Sequence, residues 1–454
     1  MERPDILFVV LDSVRRDRVS AYGHDRPTTP RLDRLSEEAT LFENAYTPAP
    51  WTLPSHCSMF TGLYPSEHGI TNGFSDGSLQ LSTSIETLTE RLSDEGYRTA
   101  GFSNNPWVGS LSGLDRGFDE YVEWDLEIGV DGDTSLETKL DRMYSATHTL
   151  LAQAARQPVF LLKRRFFTSN LVDRAIRWID ATAEEDAPTF TFLNLMEAHS
   201  PYFPPRDAFE AIDLSPPGSI EPRMLNTKLL AYVLGRGDLS PERRKRVLEF
   251  YDASLRYQDQ KLGQLLSALR EQGTYENTLV VICSDHGKTL GEYDRDGTPP
   301  HYIRPINTNV PLLVRSPGQT SPAWIQRPAE LTGVFDLMVA PHSDPTDALC
   351  SKNGALVEDF IPHTGRTKTP VIRWRLLADG THRFLRADDG REFLFTPGQD
   401  PPVPAERQAL LGWFRDAMDR KVESLTEQAS EPTGESTRLS RSVESQLEDL
   451  GYLE

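Results

Sequence analysis

Residues 278–294 read TLVVICSDHGKTLGEYD, a β-branched, apolar run that breaks off into an acid, Asp285, an imidazole, His286, and a glycine, Gly287. A run without polar alternation predicts a strand buried on both faces, here Thr278–Ser284, as in a parallel sheet covered by helices. In such sheets ligands sit beyond the carboxyl ends of the strands. An adjacent carboxylate and imidazole, with a glycine releasing the backbone, make a divalent-metal half-site there. Two more runs follow the same rule. Strand Ile6–Leu11 leads into LDSVRRDRVSAYG (residues 11–23) and puts Asp12 at its carboxyl edge. The alternative is that Asp12 caps the next helix, since Asp is a favoured N-cap. Strand Thr189–Leu195 leads through TFTFLNLMEAHSPYFPP (residues 189–205) to Glu197 and His199. Three strands with such ends point to one shared edge.

Working outward, further strands are expected at Leu41–Asn44, Thr99–Ser103 and Val310–Arg315. Helices are expected at Arg31–Glu38, Pro54–Thr61, Ser84–Glu95, Leu171–Thr182 and Pro241–Gln272. Strands alternating with amphipathic stretches predict the α/β class, a large, mixed, mostly parallel sheet flanked by helices. Segments of roughly 125–185 and 205–250 read as insertions of the kind that shape specificity. The first contains LLKRRFF (residues 161–167), either a solvated basic helix end or a contact for an anionic substrate or membrane. Residues 371–395, VIRWRLLADGTHRFLRADDGREFLF, read as three antiparallel strands joined by Asp-Gly turns, followed by a helix at Pro404–Lys421. The expected organisation is a catalytic domain over 1–345, a small α+β subdomain over 346–422, and an acidic, disordered tail over 423–454 with a short helix near Ser442–Leu450.

Composition narrows the chemistry. The chain has 454 residues, a formal charge of −20, and 48 basic residues, of which 9 are Lys and 39 Arg. Net negative charge argues against nucleic acid, whose affinity comes from neutralising phosphates. Acid-rich, Lys-poor composition is similar to that of proteins adapted to high salt, where ions screen self-repulsion. Three scattered cysteines, Cys57, Cys283 and Cys350, form neither a disulfide framework nor a CxxC metal pair. No apolar stretch reaches the roughly 18 residues that cross a bilayer. MERPDILFVVLD lacks a small-residue cleavage site and reads as a first strand rather than a signal peptide, so a cytoplasmic location is expected.

One stretch decides the nucleophile. WTLPSHCSMFTGLYP (residues 51–65) holds Thr52, His56 and Cys57 close together. Pro54 suits a first helical turn and Gly62 a stop, which places Thr52 just ahead of the helix, where backbone N–H groups and the dipole favour an anion. Thr52 and His56 are four apart and share a side of a helical turn. Cys57 points elsewhere, into the core.

These motifs together resemble the sulfatase-like branch of the alkaline phosphatase superfamily. The resemblance covers most of residues 1–335 and is carried by LDSVRRDRVSAYG, by residues 29–72 with their TGLYP run, by LDRGFDEY, MEAHSPYFPP, SDHGKTLGEYD and NVPLLVRSPG. Counting back from Thr61-Gly62, Pro54-Ser55 match the signature Pro-Ser, His56 replaces its Arg, and Thr52 falls where the family has the Cys or Ser that becomes formylglycine. Threonine does not undergo that conversion. Thr52 instead resembles the unmodified threonine with which related phosphatases and transferases attack phosphorus.

The resemblance implies an alkaline-phosphatase-like fold and one divalent metal ion, Mn²⁺ first, with Zn²⁺, Ca²⁺ or Mg²⁺ as alternatives. Asp12, Asp285 and His286 match its metal ligands, with Thr52 Oγ on the substrate side. Ser13 stands where many sulfatases have a second Asp. His199 resembles a histidine that contacts the transferred group or protonates the leaving group. Asn72, His301 and Lys288 match substrate-binding positions, although His301 could be a plain loop residue and Lys288 a solvated one. His56 either steers Thr52 or makes a structural hydrogen bond, and His68 reads as structural. Glu197, His199 and His301 only partly supply a second metal set. The implied activity is hydrolysis or transfer of a small phosphate or phosphonate ester through a covalent Thr52 intermediate. Sulfuric ester hydrolysis and a non-catalytic, anion- or partner-binding descendant are the alternatives.

Overall fold

The computed structural model describes residues 3–71, 79–123, 167–183, 185–233, 238–292, 296–297, 303–361, 372–396, 403–404 and 408–425. Eight strands form the main sheet in the order Ala323–Ile325, Thr40–Phe42, Leu312–Arg315, Thr278–Cys283, Asp5–Leu11, Thr189–Leu195, Arg98–Ser103 and Glu120–Val122. The last five run parallel. Leu312–Arg315 is antiparallel to both its neighbours, so the sheet is mixed but mostly parallel, as the pattern predicts.

Alternation along the first strand explains why both faces are covered. Leu7, Val9 and Leu11 join a core that includes Val247 and Tyr251 of the Pro241–Gln272 helix. Ile6, Phe8 and Val10 point the other way, into a core shared with Leu53, Cys57 and Phe60 of the Thr52–Thr61 helix. Successive strand residues face opposite sides, so a strand buried on both must be apolar throughout. The long helix has its signals in place: the Ser240 hydroxyl accepts from Arg243 N, Pro241 opens the helix, and Gly273 closes it at φ +78°.

Registry brings the polar strand ends to one edge. Leu11 lies opposite Leu195, and Val10 opposite both Asn194 and Cys283. Asp12, Asp285 and the Glu197–His199 segment therefore leave the sheet side by side.

The C-terminal part is a five-stranded antiparallel sheet, ordered Ala355–Ile361, Ile372–Ala378, Arg383–Ala387, Glu392–Phe395 and Val403–Pro404. Gly380 and Gly390 take φ of +95° and +89°, the left-handed turn geometry that Asp-Gly pairs supply. The Gln408–Glu423 helix packs Leu411, Phe414 and Met418 on Leu377, Phe384 and Leu394. Lys421 of this helix and Tyr64, just past the Thr52–Thr61 helix, both donate to the Glu330 carboxylate, which ties the two parts together.

Several expected boundaries differ for local reasons. Val310–Arg315 is two strands, because Pro311 has no N–H to donate: Asn309–Val310 pairs with Ala45–Tyr46, and only Leu312–Arg315 joins the main sheet. Ala355–Ile361 was not anticipated, since its pairing is visible only once Ile372–Ala378 lies beside it. The helix expected from Pro404 begins at Gln408, and Pro404 belongs to a short strand. The helix expected from Ser84 begins at Leu88, where Thr87 and Glu90 exchange hydrogen bonds in a capping box. LLKRRFF, apart from Phe167, and the expected helix near Ser442–Leu450 lie outside the described residues. No helix among the described residues is long and apolar enough to cross a membrane.

Candidate active site

Asp12 follows the buried first strand and is itself fully buried. Both of its carboxylate oxygens are held by side chains: the Ser13 hydroxyl donates to Oδ1 at 2.8 Å and the Asn105 amide to Oδ2 at 2.7 Å. Ser13 has φ +61°, a left-handed conformation that serine seldom adopts. Its surroundings enforce it. The Ser13 N–H donates to Asp285 Oδ1 at 2.9 Å, and the Tyr251 hydroxyl donates to the Ser13 carbonyl at 2.9 Å. Strain of this kind persists where neighbouring contacts over-determine the backbone.

Asp285 sits one strand away and is held differently. Its Oδ1 accepts two backbone N–H groups, from Ser13 and His286, each at 2.9 Å. Its Oδ2 is buried and accepts no hydrogen bond. His286 Nδ1 donates to the Gly287 carbonyl at 2.8 Å, which fixes the tautomer and leaves the Nε2 lone pair for the site. That Nε2 lies 3.3 Å from Asp285 Oδ2. Gly287 is required by a close approach rather than by φ, because a Cβ there would lie 2.0 Å from the Ile306 carbonyl oxygen.

Thr52 is the first residue of its helix, with Trp51 as the N-cap, instead of standing ahead of the helix as expected. The difference is small in space: the hydroxyl still faces the strand ends, with Oγ1 3.1 Å from His286 Nε2. His56, one turn on, donates from Nδ1 to the Thr52 carbonyl at 2.9 Å, and this nitrogen is 3.7 Å from Asp285 Oδ2. All ten residues of the helix are buried. Burial pushes the Cys57 thiol pKa up, which keeps it neutral and unreactive. Ser58 and His68 form a second hydroxyl–imidazole pair, at 3.0 Å. His68 Nδ1 accepts from Ile70 N, so Nε2 carries the proton and donates to Ser58. His68 therefore cannot take a proton from that serine, and the pair is structural.

The electrostatics fit a cation. Burial alone would raise the Asp12 carboxyl, but the Ser13 hydroxyl and, in the acid range where the carboxyl titrates, the charge attraction of the His199, His286 and His56 rings outweigh it and hold it low. Burial and the Asp12 charge push Asp285 well above the usual carboxylate range. Burial also holds His286 and His56 neutral, with pKa values lowered to about 4. Two adjacent buried carboxylates cannot both ionise unless positive charge is supplied. Ligand atoms of Asp12, Asp285 and His286 all lie within 4.8 Å of one another, and among the described residues no second group of this kind occurs. Glu197 is not part of it. Two carboxylates, a neutral imidazole and an unpartnered buried oxygen suit a divalent cation.

Around this centre, His199 is buried, donates from Nδ1 to the Ser200 carbonyl at 2.6 Å, and acts electrostatically on Asp12. Lys288 is buried, not solvated on a helix turn, with Nζ 5.5 Å from the Tyr202 ring centroid. Asn72 and His301 lie outside the described residues. Sequence reasoning missed Asn105 and Tyr251. Asn105 had a signal, since GFSNNPW (residues 101–107) is a fourth strand ending in polar residues. Tyr251 had none, because it comes from the middle of a helix.

Comparisons with known proteins point to one family. An ulvan-active sulfatase of Formosa agariphila is 27% identical over 431 residues, covering 90% of this chain and 77% of the relative. An arylsulfatase of Clostridium perfringens is 25% identical, covering 87% of this chain and 84% of the relative. Among solved structures, the phosphonate monoester hydrolase of Agrobacterium radiobacter superposes with a TM-score of 0.68 at 18% identity, over 93% of this chain and 96% of that one. The Sulfatase family model matches residues 4–340. The chain thus belongs to the sulfatase family, a group of ester hydrolases within the alkaline phosphatase superfamily.

Proposed function

We propose that this chain is a metal-dependent hydrolase of phosphate or phosphonate esters that works through a covalent Thr52 intermediate. The observation that carries the reading is the position of an unmodifiable hydroxyl: Thr52 Oγ1 stands 3.1 Å from His286 Nε2, beside the unpartnered Asp285 oxygen. Held by Asp12, Asp285 and His286, a divalent cation would supply Lewis-acid chemistry, lowering the pKa of the hydroxyl and offsetting charge on the transferred group. Mn²⁺ is the first candidate, because a nitrogen ligand disfavours Ca²⁺; Zn²⁺ and Mg²⁺ follow.

Thr52 Oγ forms a bond to phosphorus as the bond to the ester oxygen breaks, and the Thr52 proton passes to solvent. His199 donates a proton to the departing oxygen. Water then attacks phosphorus as the bond to Thr52 Oγ breaks, the water gives one proton to His199, and the departing Thr52 oxygen takes a proton back from solvent. Lys288, and by position Asn72 and His301, hold the non-bridging oxygens. His56 acts through the Thr52 carbonyl, fixing the first turn of the helix.

Sulfate-ester hydrolysis is the second reading, favoured by the ulvan-active sulfatase and arylsulfatase among the sequence relatives. Turnover of aryl phosphate, aryl phosphonate and aryl sulfate with Mn²⁺, Zn²⁺ or Ca²⁺ separates the two. The first reading expects the phosphorus esters to be faster, and a phosphoryl group on Thr52 by mass spectrometry after rapid quench. Faster sulfate turnover, with no label on Thr52, would sink it.

A further inference from the structure

We propose that Asn105 is a positioning residue for Asp12, and that the Ser103–Trp107 segment holds the two halves of the site in register. This rests on reading Asp12 as a cation ligand.

The orientation of the Asn105 amide is settled by its own bonds. Its Oδ1 accepts the Trp107 backbone N–H at 3.0 Å, so Nδ2 is the end that faces Asp12 Oδ2, at 2.7 Å. Asn105 is 3% exposed and its backbone N–H donates to the Ser103 hydroxyl, so the turn that presents the amide is itself tied down. The strand before it, Arg98–Ser103, is not a neighbour of the first strand: Thr189–Leu195 lies between them. Asn105 therefore reaches across a strand end to meet Asp12. With Ser13 on one oxygen and Asn105 on the other, Asp12 cannot rotate about its carboxylate axis, and each oxygen keeps a lone pair for a cation.

The same segment meets the nucleophile helix. Trp107 is fully buried and packs edge-on against Trp51, with ring centroids 5.9 Å apart at 88°. Trp51 is the N-cap of the helix that begins at Thr52. One five-residue turn thus fixes an acid on one side and the residue preceding the nucleophile on the other. Hydrogen-bond partners behind a metal ligand set its orientation, and their loss weakens metal binding by about 10- to 100-fold.

The test is direct titration of metal-stripped protein with Mn²⁺ by calorimetry, for wild type, Asp12→Ala and Asn105→Leu, with the melting curve of each in EDTA. Wild type is expected to bind and Asp12→Ala to lose binding. Asn105→Leu should keep a cooperative melt in EDTA but bind about 10- to 100-fold more weakly. If Asn105→Leu does not fold, Asn105→Ser, which is too short to reach Asp12, carries the same arm. Wild-type affinity in the folded Asn105 variant, with Asp12→Ala losing binding, overturns this proposal and leaves the cation reading standing. No binding by wild type, or undiminished binding by Asp12→Ala, overturns both.

Discussion

The two strand ends that carry the acids are built on opposite plans. Asp12 is oriented by side chains, the Ser13 hydroxyl and the Asn105 amide. Asp285 is oriented by backbone, through the N–H groups of Ser13 and His286, and its loop is pressed against the Ile306 carbonyl at Gly287. A side-chain bond can be removed by one substitution with little disturbance. A backbone bond is lost only when the chain itself moves. The Asp12 end is thus adjustable, and the Asp285 end is a rigid frame that also keeps Oδ2 unpartnered.

The largest effect is expected where the two ends meet. Thr52→Ala should lower kcat for the preferred ester by at least about 10³-fold while the cooperative melt is retained, because the attacking atom is gone. Thr52→Ser should keep measurable turnover. Equal activity in Thr52→Ala would show that neither end serves this hydroxyl.

Next is the rigid end. Gly287→Ala should cost about 3 kcal/mol in urea denaturation, since its Cβ meets carbonyl oxygen and the backbone must shift. A cost under about 1 kcal/mol would mean the loop has slack, and the contrast with Asp12 would break.

Imidazoles sharpen the comparison through pH. Burial lowers the His68 pKa to about 3, against about 6.5 in an unfolded chain. Below the unfolded value the unfolded state takes up a proton that the folded state refuses, so stability falls as pH drops and is level above it. Between about pH 6.5 and 5 this histidine should remove about 2 kcal/mol, and His68→Gln should flatten that part of the urea-denaturation profile. An unchanged slope would place the His68 ring within reach of solvent.

The smallest effect is at the adjustable end. Ser13→Ala removes one donor to Asp12 Oδ1 and should cost about 1 kcal/mol in the same denaturation assay. A loss as large as that of Gly287→Ala would show that both ends are rigid frames.

Much of this was legible from residue order. Asp12, Asp285 and His286 were found by one rule, an unbroken apolar strand that ends in polar residues, and the class of sheet followed from the same runs. Thr52 was singled out by its proline and glycine neighbours, though the helix begins two residues earlier than expected and includes it. Val310–Arg315 was misread as one strand although Pro311 marks the break, and Ala355–Ile361 was missed because antiparallel pairing depends on a partner distant in sequence.

Sequence alone determined which residue types could do chemistry, and that they stand at strand ends, because periodicity and turn residues are local properties of the chain. Only the tertiary structure decided that both oxygens of Asp12 are held and that one oxygen of Asp285 is left open. That depends on Asn105 from two strands away, on Tyr251 from the long helix and on the left-handed turn at Ser13. A hydrogen bond between groups far apart in the chain leaves no periodic trace, so its partners become visible only when the sheet has set their register.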